Sequence, residues 1–104
     1  MEEFDIAIIG GGPAGIMAAI AASADLNVVL LEKNSSLGSK LLITGGGRCN
    51  ITNEKPIKKL LNSFHDKNFL KHSFYTFTNE MLLDLFRNRG LDFIVEDNNR
   101  VFPE

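Results

Sequence analysis

The fold is decided at residues 5–19, DIAIIGGGPAGIMAA. The apolar run at residues 4–9 ends in glycines, which is typical of a strand buried on both faces of a parallel sheet. Pro13 then suits the first turn of a helix, which alanine-rich sequence continues to residue 24. A second apolar run, NVVLL at residues 27–31, predicts the next strand. Two parallel strands joined by one helix make a βαβ unit of an α/β fold.

The turn at residues 10–15, GGGPAG, carries the dinucleotide-binding pattern GxGxxG between a strand and a helix, where that pattern has physical meaning. Gly10 permits the tight turn, Gly12 lets a pyrophosphate approach the backbone, and Gly15 lets the helix lie against the sheet. The helix N-terminus adds N–H groups and a partial positive charge. The pattern predicts a Rossmann-like FAD/NAD(P)-binding unit. The alternative is a glycine-rich turn that binds nothing.

Glu32 ends the second predicted strand, 17 positions after Gly15. An acidic side chain at this place accepts hydrogen bonds from the adenosine ribose hydroxyls and repels a 2′-phosphate. We therefore expect FAD or NAD at this site rather than NADP. The βαβ pattern alone does not separate FAD from NAD.

A second glycine-rich stretch, TGGGRCN at residues 44–50, lies within a segment, residues 34–53, that has no sustained periodicity. We expect an irregular loop wrapped around a ligand, because consecutive glycines are costly to order. Arg48 offers a planar guanidinium to a phosphate, and Thr44 and Asn50 offer neutral hydrogen bonds. Such a loop suits a long ligand such as FAD. The alternative is a flexible surface loop with one solvated arginine.

Beyond residue 53 the pattern predicts a mostly helical segment and then a small β-hairpin. The hairpin is predicted from alternation that begins at residue 91 and from a short run at residues 100–102. The helix signals, in chain order, are a start at Pro56, a cap at Asp66, a cap at Thr78 or Asn79, and a stop at Gly90 after a helix that runs to Arg89.

The composition of the 104 residues, 44% apolar and 23% charged, is that of one globular domain over residues 1–104. The formal net charge of −2 predicts no nucleic acid as a partner through bulk charge. Five lysines make residues 54–72 locally basic. We expect them on the solvent faces of amphipathic helices, with the nearby aromatic side chains turned inward. His65 and His72 are expected at the surface rather than on a metal ion.

Cys49 is the only cysteine, which excludes an internal disulfide and a zinc site built on cysteines. A lone thiol is typical of a reducing compartment, so a cytoplasmic location is expected. The uncharged run at residues 6–24 approaches the length of a membrane span, but glycines and Pro13 interrupt it. No membrane partner and no signal peptide are expected.

Three stretches resemble the N-terminal part of a bacterial family of FAD-dependent oxidoreductases, the aminoacetone-oxidase-like or BaiN-like flavoproteins. They are DIAIIGGGPAGIMAA, VVLLEKNSSLGSKLLITGGGRCNITN and RVFPE, at residues 5–19, 28–53 and 100–104. TGGGRCNITN is more diagnostic than GxGxxG, which many FAD and NAD proteins share. Members of this family are several-fold longer. The resemblance therefore implies the N-terminal portion of a larger two-dinucleotide-binding flavoprotein, whose catalytic residues are not visible in this chain.

The resemblance implies FAD as the cofactor, with its ADP moiety and diphosphate held here. Glu32 would bind the adenosine ribose, and Lys33 would lie near the adenosine end. The residues implied for the diphosphate are Gly10, Gly12, Pro13, Ala14 and Gly15. The residues implied for the loop that runs from the diphosphate toward the flavin ring are Lys40, Thr44, Gly45, Gly46, Arg48, Cys49 and Asn50. Cys49 is interpreted as a packing or cofactor contact, because related disulfide reductases use two cysteines.

The leading hypothesis is the FAD-binding part of a flavin-dependent oxidoreductase that acts on an unidentified small-molecule substrate. NAD(P)H is a candidate electron donor, and the isolated chain is not expected to be active alone. Two alternatives stay open. One is an NAD-binding oxidoreductase domain. The other is a non-catalytic nucleotide-binding module that self-associates through an exposed sheet edge.

Overall fold

The computed structural model describes residues 1–104 and divides them into two compact units, Met1–Gly47 and Arg48–Glu104. The first unit has a sheet of two parallel strands, and the second has a sheet of three antiparallel strands. The predicted α/β class is confirmed, whereas the single domain over residues 1–104 stays a prediction. None of the helices combines the length and the hydrophobicity that a membrane span requires.

The first unit is the predicted βαβ unit followed by one more helix. Its elements are β1 (Ile6–Ile9), α1 (Pro13–Ala22), β2 (Val28–Leu31) and α2 (Ser39–Gly47). The two strands pair in parallel, with Ile6 opposite Val28 and Ile9 opposite Leu31. Helix α1 begins at Pro13, as predicted, and ends two residues before the predicted residue 24.

The prediction that the two strands are buried on both faces is wrong. A Cβ on Gly15 of α1 would contact Ile8, so α1 covers the face of β1 that carries Ile8. Successive side chains of a strand point to opposite faces. On the other face, Ile9 and its register partner Leu31 are 78% and 51% exposed. The reason is that α1 covers only one face of this two-stranded sheet.

The segment at residues 34–53 is more ordered than the predicted irregular loop, because α2 occupies its centre. Thr44 leaves the helical conformation with ψ of 156°, and Gly45 and Gly46 have left-handed φ values of 59° and 72°. Glycine adopts this conformation without the steric cost that other residues incur. These two glycines therefore serve to break the helix.

The second unit contains three helices and an antiparallel sheet in the order β3-β5-β4. Its elements are β3 (Thr52–Asn53), α3 (Ile57–Leu61), α4 (Lys67–Thr76), α5 (Asn79–Arg87), β4 (Phe93–Glu96) and β5 (Arg100–Pro103). Strands β4 and β5 form the predicted hairpin through a tight turn at Asp97–Asn99, in which Asn98 and Asn99 have left-handed φ values of 63° and 60°. The pairing of β3 with β5 was not predicted, because a two-residue strand has no periodicity.

Two predicted helix caps are confirmed. The Asp66 carboxylate accepts the N–H of the third residue of α4 at 3.0 Å, and the Thr78 hydroxyl accepts the corresponding N–H of α5 at 3.2 Å. Helix α5 ends at Arg87 rather than at the predicted residue 89, and Gly90 follows with φ of 84°. Side-chain capping therefore located the helix starts more accurately than the glycine located the end.

Asn79 is the one buried polar residue of the second unit, at 7% exposure. Its Nδ2 donates to the carbonyl oxygens of Asn53 at 2.7 Å and Lys55 at 2.8 Å. These bonds tie the start of α5 to the segment around the end of β3. The apolar core of the unit consists of Leu61, Leu83, Val101 and Phe102.

Replacing Asn79 with alanine is expected to lower the free energy of unfolding by about 1–3 kcal/mol, because two carbonyl groups lose their donor. Chemical denaturation followed by far-UV circular dichroism measures this change. Asn62→Ala is the matched control, since Asn62 is exposed and such substitutions alter stability by about 0.5 kcal/mol or less. Equal effects of the two substitutions would contradict the role assigned to Asn79.

Candidate functional site

A cleft of about 610 Å³ opens at the carboxyl ends of β1 and β2. Ligands of open α/β sheets bind at this edge, and the volume is within the range of small-molecule sites. The walls come from the glycine turn before α1, the segment after β2 and the first residues of α2. The predicted site residues that line the cleft are Gly10, Gly12, Pro13, Glu32, Lys33 and Lys40.

Gly11, which the motif leaves unspecified, joins three parts of the cleft wall. Its N–H donates to Glu32 Oε1 at 2.9 Å, and its carbonyl accepts the N–H of Gly38 at 2.8 Å. A Cβ at position 11 would collide with the Leu37 side chain and crowd that of Glu32. The motif does not identify this residue as part of the site, because GxGxxG treats its position as variable. The run of three glycines was the only signal.

The Glu32 carboxylate is held by two backbone donors. Oε1 accepts the Gly11 N–H, and Oε2 accepts the N–H of Asn34 at 2.7 Å. The hydrogen bond from Asn34, followed by that from Gly11, lowers the pKa of Glu32 below its ordinary value of 4.5. The carboxylate is therefore ionised at neutral pH, and each oxygen keeps a lone pair for a further donor. Such an acceptor fits a ribose hydroxyl.

Gly12 and Gly15 have different surroundings. A Cβ at Gly15 would collide with the backbone carbonyl of Gly10, so the close approach of α1 to β1 requires glycine there. A Cβ at Gly12 would meet nothing within 4 Å, and no side chain caps α1. The first N–H groups of a helix have no partner within the helix. The N-terminus of α1 therefore offers donors beside open space, which fits an anionic diphosphate.

The second glycine-rich stretch does not line this cleft. The Thr44 hydroxyl donates to the carbonyl of Leu41 at 2.7 Å within the broken part of α2. The predicted site residues outside the cleft lining are Ala14, Gly15, Thr44, Gly45, Gly46, Arg48, Cys49 and Asn50. Residues 48–50 belong to the second unit.

Arg48 is paired with a carboxylate inside the second unit. Its guanidinium donates two hydrogen bonds to Glu96, at 2.6 and 2.9 Å, and lies over the Phe102 ring, 4.2 Å from the ring centroid. The hydrogen bonds raise the pKa of Arg48 and lower the pKa of Glu96. The sequence does not reveal Glu96 as the partner of Arg48, because the two residues lie 48 positions apart in the chain. The remaining N–H groups of Arg48 are the ones that can bind another acceptor.

Cys49 and Asn50 form the turn that leads into β3. Cys49 has a left-handed φ of 64° and carries a free, half-buried thiol. The Asn50 amide, oriented with its nitrogen toward two carbonyl groups, donates to Thr52 at 3.0 Å and to Val101 at 3.3 Å. Within the second unit, the Asn50 amide therefore donates hydrogen bonds to backbone carbonyl groups of β3 and β5.

A glycine turn, an acidic residue at the end of β2 and a cleft between them are the features of a dinucleotide-binding βαβ unit. Over residues 4–104 the sequence matches the HI0933-like protein Rossmann domain. The chain belongs to this family. The match confirms the BaiN-like family that the motifs predict. A Rossmann domain also agrees with the α/β fold observed for this chain.

The HI0933-like domain is similar to parts of several curated proteins. It is 40% identical over 89 residues to a 3-dehydro-bile acid delta(4,6)-reductase of Clostridium scindens, covering 83% of this chain and 22% of that protein. It is 38% identical over 94 residues to a ribosomal RNA dihydrouridine synthase of Escherichia coli, covering 88% and 23%. It is 39% identical over 74 residues to a mitochondrial dihydrolipoyl dehydrogenase of Caenorhabditis elegans, covering 70% and 13%. The chain thus spans less than a quarter of each of these three relatives.

Gly15→Ala is expected to destabilise the first unit by about 1–3 kcal/mol, because the new Cβ forces α1 away from the Gly10 carbonyl. Gly12→Ala is the matched control, since its Cβ enters open space and its φ of −78° suits alanine. Hydrogen exchange of the β1 and β2 amides, measured by NMR, reports the opening of this unit. Equal protection in the two variants would contradict the packing of α1 on β1.

The amide proton shifts of Gly11 and Asn34 are expected to titrate together, with a midpoint below 4.5, because both N–H groups bind the Glu32 carboxylate. A lowered folded-state pKa means that Glu32 contributes stability above its unfolded-state pKa. That stability is lost as the pH falls through the folded-state pKa. An NMR pH titration measures both shifts, and Glu32→Gln should remove their shared transition. Separate midpoints for the two amides would contradict the bridging geometry.

Proposed function

We propose that the HI0933-like domain binds FAD and holds its ADP moiety and diphosphate in the cleft at the ends of β1 and β2. The observation that carries this proposal is the open space at Gly12 beside the uncapped N-terminus of α1. A phosphate in that space meets backbone N–H groups and the positive end of the helix dipole without touching a Cβ. Pro13, Ala14 and Gly15 form this first helix turn, in which Ala14 and Gly15 carry N–H groups and Pro13 has none.

The other side chains of the cleft suit the rest of an ADP moiety. Glu32, oriented by two backbone N–H groups, accepts hydrogen bonds from the ribose hydroxyls. Ile9 and Leu31 line the same cleft and are exposed, so they offer an apolar surface to the adenine ring. Lys33 and Lys40 add positive charge to the lining, Lys33 near the adenosine end. Together these groups complement the apolar, hydroxylated and anionic parts of the ligand.

We extend the proposal to the flavin-proximal part of the cofactor, as the resemblance to BaiN-like flavoproteins implies. The residues assigned to it are Thr44, Gly45, Gly46, Arg48, Cys49 and Asn50. Arg48 supports this assignment through a guanidinium whose orientation is set by Glu96 and Phe102. We assign Cys49 to a packing or cofactor contact, as the resemblance implies.

For the whole protein we propose an FAD-dependent oxidoreductase. FAD, when bound, supplies hydride transfer, and this domain binds and orients the cofactor. One relative is named a 3-dehydro-bile acid delta(4,6)-reductase and another a ribosomal RNA dihydrouridine synthase. By likeness to the first, the whole protein reduces an unidentified small-molecule substrate, with NAD(P)H as electron donor.

The test of the cofactor is a titration of the chain with FAD, followed by flavin fluorescence and by the absorption spectrum after unbound FAD is removed. We expect saturable binding and flavin absorption that stays with the chain. Gly12→Ala should weaken binding about tenfold or more, which corresponds to about 1.4 kcal/mol, because its Cβ enters the diphosphate space. Asn62→Ala is the control and should bind as the wild type does. An undiminished affinity in Gly12→Ala would contradict the proposed diphosphate position.

NAD is the second candidate, because Glu32 suits the ribose of either dinucleotide. In competition titrations ADP should displace FAD, since FAD and NAD share the ADP moiety. If the chain binds NAD more tightly than FAD, the cofactor is NAD rather than FAD. NADP should bind more weakly than NAD, and Glu32→Gln should narrow that difference, because the carboxylate that repels the 2′-phosphate is gone.

A further inference from the structure

Leu37 and Gly38 end the segment that joins β2 to α2, and both pack against the rest of the first unit. The Gly38 N–H donates to the Gly11 carbonyl at 2.8 Å. Gly38 is buried and has a left-handed φ of 68°, and a Cβ on it would lie 3.8 Å from the Ile16 side chain of α1. Gly38 therefore holds the segment against the glycine turn and α1, which fixes where the preceding side chain lies.

The Leu37 side chain occupies the space that a Cβ on Gly11 would need. The Cβ and Cγ atoms of Glu32 approach the same space, at 3.2 and 3.3 Å from the position of that Cβ. Leu37 and the aliphatic part of Glu32 therefore converge on one side of Gly11, whose N–H binds Glu32 Oε1 at 2.9 Å. Only glycine at position 11 leaves room for both side chains.

Leu37 itself does not line the cleft, although its neighbours Ser36 and Gly38 do. It is 49% exposed, and its covered part packs on Gly11. A ligand in the cleft is therefore expected to contact Glu32 and not Leu37. Any effect of Leu37 on binding is transmitted through the residues that it touches.

We propose that Leu37 is a positioning residue, which holds the Glu32 carboxylate on the Gly11 N–H before a ribose enters the cleft. A glutamate side chain rotates about several bonds, and ordering such a side chain during binding lowers the affinity. Leu37 fills the space beside the Glu32 stem and covers one side of the hydrogen bond from Gly11. The carboxylate oxygens are then already placed for the ribose hydroxyls. This inference rests on the proposed function, in which Glu32 binds the ribose.

The pKa of Glu32 tests this role without any ligand. Loss of the Leu37 side chain frees the carboxylate from the Gly11 N–H, which is one of the two backbone donors that lower this pKa. In Leu37→Ala the Gly11 amide shift should therefore titrate with a higher midpoint than in the wild type, nearer to 4.5. The other charged side chains of the cleft lining, Lys33 and Lys40, stay in place. An unchanged midpoint in the NMR titration would overturn the proposal.

The affinity for FAD tests the consequence for the cleft. Leu37→Ala should weaken binding about two- to tenfold, the cost of ordering one flexible side chain on binding. Leu37→Met conserves the side-chain volume and should keep the affinity and the Gly11 midpoint of the wild type. Leu26→Ala is the matched control, because Leu26 is 42% exposed and precedes β2, at the end of the sheet opposite the cleft. Undiminished affinity in Leu37→Ala, or an equal loss in Leu26→Ala, would contradict the assignment.

A double-mutant cycle separates positioning from a general loss of stability. In a Glu32→Ala background, Leu37→Ala should cause no further loss of FAD affinity, because the carboxylate that Leu37 positions is gone. A loss as large as in the wild-type background would mean that Leu37 acts on the fold alone, and the proposal would fail. The Gly11 titration requires neither FAD nor the double variant. It therefore decides the role of Leu37 even if the wild-type chain binds no FAD, a result that would overturn the FAD proposal.

Discussion

The first unit depends on the hydrogen bond from the Gly11 N–H to Glu32 Oε1. This bond joins the turn before α1 to the end of β2, and the Gly11 carbonyl joins the same turn to Gly38 just before α2. Because the acceptor is ionised, the bond is stronger than one to a neutral oxygen. The charge of Glu32 therefore holds the walls of the cleft together. The residue that the family motif assigns to the ribose also builds the site that would receive it.

In the second unit, Arg48 likewise combines a structural contact with a predicted binding role. Its guanidinium is fixed by the two oxygens of Glu96 and by the face of Phe102. A guanidinium has its donors in a rigid plane, so a bidentate pair fixes the orientation of those that remain. The guanidinium that the sequence predicts to bind a phosphate is thus already held by contacts within the second unit. Any anion that Arg48 binds must approach from the direction that this pair leaves open.

The family match covers both units of the chain, and the cleft with the dinucleotide-binding features lies in the first unit. The cleft of the first unit has three features that dinucleotide-binding Rossmann domains share. They are a helix N-terminus, open space where a Cβ on Gly12 would lie, and an acidic hydrogen-bond acceptor.

The sequence by itself determined the βαβ order, the cap at Asp66 and the β4–β5 hairpin, and it limited the cap of α5 to Thr78 or Asn79. Their causes act between residues that are close in the chain, through periodicity, capping hydrogen bonds and turn preferences. Only the tertiary structure decided that Arg48 pairs with Glu96, that β3 lies beside β5, and that Ile9 stays exposed. Pairing between distant residues depends on loop closure and on the packing of whole elements. The free energies of loop closure and of packing depend on residues far apart in the chain, so no short sequence pattern encodes them.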